Sequence, residues 1–293
     1  MADTLHIRSM EVVMIERPAR RLEPMRVVAC SAEIEDTDLF AIEKILESLG
    51  DRPVGIACEH AVFVTALDAK RVIIGSMRDH PYWENPAIET RPLQMRGLIM
   101  TRKLYGMLGD PFAIIARFPP NWQERGEALQ QVWPNEGLPP RTIPKLQAIL
   151  QAGDPPLLWG CTQAMVDGAR VLITRSEPGN ELIAGIWQLL PYAICEQRWF
   201  CTFSFAPSEM FDLVVVADEI EIVPGSRWLH EQQVLDYPES RYEMSLQTAI
   251  ESGDALSMEK LFIRRNREDV IKYALFLLLF MIVIVTVMPL ILR

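Results

Sequence analysis

Little in this chain advertises chemistry. Its 293 residues include four histidines and five cysteines, and no Cys-x-x-Cys, His-x-His or His-Glu-x-x-His spacing occurs. A structural zinc would need ligands gathered from distant segments. Cys30, Cys58, Cys161, Cys195 and Cys201 are odd in number and irregularly spaced, the pattern of reduced core thiols in a cytosolic domain rather than of a disulfide framework. Neither a Gly-x-x-x-x-Gly-Lys loop nor a Gly-x-Gly-x-x-Gly turn is present, so no nucleotide fingerprint is recognisable. These absences predict no cofactor, no metal and no catalytic residue. The first residues, "MADTLHIRSMEVVMIERPAR", lack an apolar core, and no signal peptide is expected. Positive charge is also short: 29 Lys and Arg against 39 acids give a net charge of −10. An acidic body disfavours nucleic acid and anionic lipid as broad-surface partners.

Three constellations invite a functional reading, and each has a plainer one. In Cys58-Glu59-His60, a strand would place the thiol and imidazole on one face, about 7 Å apart. A nucleophile and its base need about 3.2 Å, so a buried sheet cysteine and histidine is the better account. The acids Glu33, Glu35, Asp36 and Asp38 lack the glycine and terminal glutamate of a calcium loop and read as solvated residues capping a helix. The aromatic stretch "GIWQLLPYAICEQRWFCTFSF" has Arg198 as its neighbouring cation and reads as core rather than as a base-stacking surface.

What is present is a long apolar run. From Tyr273 to Leu292 there are 20 residues without a charged side chain. As a helix such a run spans about 30 Å, the thickness of a bilayer core. Arg264, Arg265, Arg267 and Lys272 precede it and only Arg293 follows, which places the N-terminal part in the cytosol by the positive-inside rule. The expectation is a single-pass, tail-anchored protein of the cell (inner) membrane, with those four cations at the membrane surface. Removing residues 264–293 from the tally leaves the rest of the chain at −13.

The remaining sequence predicts an α+β, mixed α/β body with a helical hairpin stalk below it and the C-terminal transmembrane helix. Residues 1–117 form a first α/β half: a strand in 25–35, a helix begun by Thr37 or Asp38 and stopped by Gly50, a hairpin about Asp68–Ala69, and two short helices. Asp110 caps the second of these helices, Pro111 takes its first position and Pro119–Pro120 end it. Residues 118–141 hold five prolines and two glycines and read as a linker. Residues 142–235 form a second half, with helices in "TIPKLQAILQAG", "LLWGCTQAMVDG" and "NELIAGIWQLLP". Strands are expected in "RVLIT", "WFCTFSF" and "FDLVVVA"; the last is apolar enough to lie buried on both sides. Residues 236–270 contain the hairpin and basic segment, with Tyr242, Leu246, Ala249 and Ile250 on one stripe and Ala255, Met258, Leu261 and Phe262 on the next. Gly253 ends the first helix and Asp254 caps the second. The membrane helix is assigned to 271–292.

Residues 55–265 resemble uncharacterised bacterial proteins similar to the N-terminal domains of GTPase-associated adaptor proteins. The phrases that carry the resemblance are "LGDPFAIIARFPPNW", "LLWGCTQAMVDG", "IWQLLPYAICEQRWFCTFSFAP" and "LQTAIESGDALSMEKLFIRRNRE". In the adaptor pattern a helix ending in Leu-Pro precedes a basic residue and a Thr-Phe-Ser-Thr strand. Leu190–Pro191, Arg198 and Thr202–Phe203–Ser204 match, and Phe205 replaces the final threonine. The resemblance implies a regulatory module beside a GTPase or other NTPase and transfers no site residue. Three functions stand at this point. The first is a membrane-tethered cytosolic adaptor that binds other proteins. The second is a small-molecule sensor with a pocket between the two halves, around the 118–141 linker. The third is a hydrolase with an unfamiliar site.

Overall fold

The computed structural model describes residues 8–18, 24–81, 92–127, 131–134, 136–218, 220 and 227–263. Its strands are β1 (Ser9–Arg17), β2 (Arg26–Cys30), β3 (Ala61–Ala66), β4 (Arg71–Asp79), β5 (Leu93–Thr101), β6 (Gly126–Glu127), β7 (Gln131–Val132), β8 (Arg170–Arg175), β9 (Phe200–Ser204), β10 (Leu213–Ala217) and β11 (Trp228–His230). All belong to one sheet, in the order β11-β8-β10-β9-β3-β4-β5-β1-β2-β6, with β7 also paired to β1. The strands β11, β8, β10 and β9 run parallel, and β3, β4, β5, β1 and β2 form an antiparallel run. The two halves of the chain meet inside this sheet, where β9 pairs antiparallel with β3 through Phe63–Cys201 and Val64–Phe200. Thr202 Oγ1 also accepts from Val62 N at 2.7 Å.

The helices are α1 (Asp36–Ser48), α2 (Arg102–Leu108), α3 (Pro111–Arg117), α4 (Ile143–Ala152), α5 (Pro155–Val166), α6 (Asn180–Leu189), α7 (Tyr192–Cys195), α8 (Glu231–Leu235), α9 (Arg241–Ser252) and α10 (Ala255–Phe262). Local chemistry sets their ends. Asp110 Oδ1 accepts from Ala113 N at 3.1 Å ahead of Pro111, as the sequence predicts for α3. Helix α1 is capped two to three residues earlier than expected: Glu35 is its cap, and the Glu35 N–H donates to Asp38 Oδ2 at 3.3 Å. Asp38 is drawn inward instead, to a paired contact with the Arg71 guanidinium at 2.5 and 2.9 Å.

Strand β9 differs from the expected alternation. All five of its residues are buried, Thr202 and Ser204 included, because strands flank it on both edges and α6 packs on it. Strand β10 is buried throughout, as its apolar sequence predicts. The stretch expected as a linker carries β6 and β7, and Trp133 beside them is buried at 4% exposure.

Helices α9 and α10 form the C-terminal hairpin. Gly253 closes α9 in the left-handed region at φ 71°, and Asp254 Oδ1 caps α10 by accepting from Ser257 N at 3.1 Å. The hairpin packs on α4 and α5: Tyr242, Leu246, Ala249, Ile250, Met258 and Phe262 are buried, and Gln147 Nε2 donates to Ile250 O at 3.3 Å.

The expected fold class is corrected in its last element. Among the described residues no helix is long and apolar enough to cross a membrane. The longest, α1, has 13 residues, or about 20 Å of helix against the ~30 Å of a bilayer core. The run expected to span, 271–292, and the expected membrane-surface residues Arg264, Arg265, Arg267 and Lys272 lie outside the described residues.

Candidate functional site

The parallel strands β8 and β10 end side by side, and the chain leaves each of them through a loop. The carboxyl ends of parallel strands are where open α/β sheets form crevices, since adjacent connections diverge there. A cleft of about 490 Å³ lies at that edge. One wall is the segment before β3, with Ile56, Glu59 and His60. The other comprises Ser176 and Glu177 after β8, Asn180 at the start of α6, and Asp218 after β10. The cleft therefore joins the two halves of the chain. Asn180 Nδ2 ties its walls together by donating to His60 O at 2.8 Å, while Asn180 Oδ1 is shielded from solvent and accepts no hydrogen bond.

The Cys58-Glu59-His60 triplet changes meaning here. Strand β3 starts at Ala61, so these residues lie on an irregular segment and not on the strand assumed from the sequence. Cys58 is buried beneath the cleft, where its N–H donates to Asp79 Oδ2 at 3.2 Å and Asp79 pairs with Arg52 at 2.7 Å. Burial, reinforced by the Asp79 charge, pushes the Cys58 thiol up to about 12. His60 stands exposed at the rim, and partial burial lowers its pKa, which keeps the imidazole neutral near pH 7. A protonated thiol facing inward and an imidazole facing out make no nucleophile–base pair.

The cleft's chemistry is that of an acceptor. Glu59, Glu177 and Asp218 supply carboxylates and Ser176 a hydroxyl, and no Lys or Arg lies among the described lining residues. Ser176, His60 and Asp218 line the same space, yet no side-chain hydrogen bond joins any two of them. The described residues contain no group of His, Cys, Asp and Glu able to hold a metal ion. The other constellations resolve into packing. Phe112 stacks on Phe200 at 5.3 Å, Trp187 meets Phe200 edge-on at 4.7 Å, and Arg198 pairs with Asp212 at 2.8 Å.

Sequence reasoning passed over Ser176, Glu177, Asn180 and Asp218. Their signal was positional: each follows the end of a short apolar strand, the place where a parallel sheet opens.

Fold and cleft define a class: a single mixed sheet, parallel at one end and antiparallel at the other, with an acceptor-lined crevice where its halves join. No protein-family model matches the chain, and no curated protein or solved structure matches it. The resemblance to adaptor N-terminal domains rests on the sequence phrases alone.

Proposed function

We propose that the protein is a regulatory module that takes a small, hydrogen-bond-donating ligand into the cleft between its halves and acts through a protein partner. The cleft's composition carries this reading: both halves contribute, and its described lining holds three carboxylates and no Lys or Arg. An amine or guanidinium group suits such a lining, whereas a nucleotide or other polyanion meets three carboxylates. Among the described cleft residues no nucleophile is hydrogen-bonded to a base, which leaves the hydrolase reading without support there.

A GTPase or other NTPase remains the proposed partner, on the sequence resemblance. Association with a membrane is proposed on the sequence of 264–293 alone, and fractionation of cells expressing the full chain tests it.

The ligand reading is tested by melting the protein against a panel of amines, guanidines, amino acids and nucleotides. Amine-bearing compounds should raise the Tm saturably and nucleotides should not. Ser176→Trp, which fills the cleft, should abolish the shift. A panel without effect, or a shift that survives in Ser176→Trp, refutes the reading.

A further inference from the structure

The first wall of the cleft stands without regular structure. Residues 51–60 join α1 to β3 and belong to no helix or strand. Gly50 and Gly55 let the segment turn, both in the left-handed region at φ 83° and 88°. Val54 at the second turn is 56% exposed, whereas Ile56 and Cys58 are buried. The second half of the chain ties down both ends. Leu49 O accepts from Phe205 N at 2.7 Å and from Ser204 Oγ at 3.1 Å, and His60 O accepts from Asn180 Nδ2 at 2.8 Å. Ordering the residues between those ends costs conformational entropy, and no sheet ladder runs along them to offset it.

A buried ion pair takes the place of a ladder. Arg52 and Asp79 meet at 2.7 Å, with 8% and 14% of their side chains exposed. Each also grips the segment's backbone. Arg52 Nε and Nη2 donate to Ile56 O, the first at 2.7 Å. Asp79, the last residue of β4, accepts from Cys58 N through Oδ2 at 3.2 Å and donates its own N–H to Cys58 O at 2.8 Å. The pair thus closes residues 52–58 into a loop around itself. The guanidinium also lies 6.0 Å from the ring of Phe205, on the second half. Neither side chain lines the cleft, but Ile56, Glu59 and His60 do. Removing one partner of a buried pair leaves a charge without water or counter-ion, and the loop must lift to hydrate it. We propose that Arg52 and Asp79 are positioning residues, which hold the first wall of the cleft closed and so set the place of Glu59 and His60. The assignment deepens the cleft reading and rests on it for the use to which the wall is put.

Cys58 reports the wall directly. It is 1% exposed, so a maleimide reaches its thiol only when the wall lifts, whereas the buried Cys161 and Cys195 report unfolding of the body. The full chain is treated with N-ethylmaleimide at neutral pH, and each cysteine is followed by peptide mass spectrometry. Asp79→Asn and Arg52→Met should each raise the rate at Cys58 several-fold relative to Cys161 and Cys195. The two variants act oppositely on the thiol itself, because the Asp79 charge raises the Cys58 pKa and the Arg52 charge lowers it. A selective rise in both variants therefore reads the lifting of the wall and supports the proposal. A rise in Asp79→Asn alone reads thiol acidity and overturns it. Equal rises at Cys161 and Cys195 make the pair an ordinary stabilising contact, and an unchanged rate at Cys58 shows that the wall stands without it; either overturns the proposal. Where one of these variants does not fold, Arg52→Lys replaces it: it keeps the charge, loses the planar fork and should give the same selective rise. No ligand enters the experiment, so the wall can fail while the amine-dependent Tm shift stands, and the reverse.

Discussion

Arg141 shows how a polar residue can be buried for structural reasons alone. Its guanidinium donates to the carbonyls of Trp187 and Leu190 at the end of α6 and lies between the rings of Tyr192 and Phe262, 4.5 and 4.7 Å from their centroids. The last carbonyls of a helix lack partners within it, and a cation there also meets the negative end of the dipole. Arg141→Ala should cost about 2–4 kcal/mol by stranding those carbonyls, measured by denaturant unfolding. The cysteines offer a simpler check. Burial raises the thiols of Cys58 and Cys201 to about 12 and that of Cys195 to about 11, and drives Cys161 up as well. Only Cys30 is partly exposed, so a thiol reagent should label one cysteine in the native protein and all five once it is unfolded. Glu243 supplies a pH dependence. Burial, and then the Glu239 charge, raise its carboxyl above the ordinary 4.5. Its contribution to stability is full below that value and is lost as pH rises through the folded-state pKa. Glu243→Gln should flatten that fall and raise the Tm at neutral pH.

At the scale of elements, α5 is held against α8 by the lack of a side chain. A Cβ on Gly160 would collide with the carbonyl oxygen of Val234, a backbone atom that cannot turn aside. Gly160→Ala should therefore displace α8 and cost about 1–3 kcal/mol, despite alanine's better helix propensity. Expected helices were mostly found because proline, aspartate and glycine mark their ends locally. Strands β1 and β5 were missed: Ser9–Arg17 shows no sustained alternation, and in Leu93–Thr101 the alternation of Leu93-Gln94-Met95-Arg96 gives way to an apolar run, with Gln94 and Arg96 themselves buried.

For the whole molecule, one sheet crosses the expected domain boundary. Strands β3 and β9 pair across it, and β6 and β7 from the expected linker pair with β2 and β1. The two halves should therefore unfold in a single calorimetric transition, and residues 142–263 expressed alone should fail to fold because β9 loses its partner. Two separate transitions would show that the halves are independent domains.

The sequence by itself determined the mixed α/β class of the body, the ends of α3, α9 and α10, the double-sided burial of β10 and the absence of a familiar catalytic signature. Each of these is written in residues near one another: caps, breakers and apolar runs act over one or two turns or along one strand. Tertiary structure alone decided that the halves share a sheet and that Cys58 and His60 part company. It alone brought Ser176, Asn180 and Asp218 to one cleft with Glu59. Those facts depend on strand order and on pairing across more than a hundred residues, which local patterns do not encode.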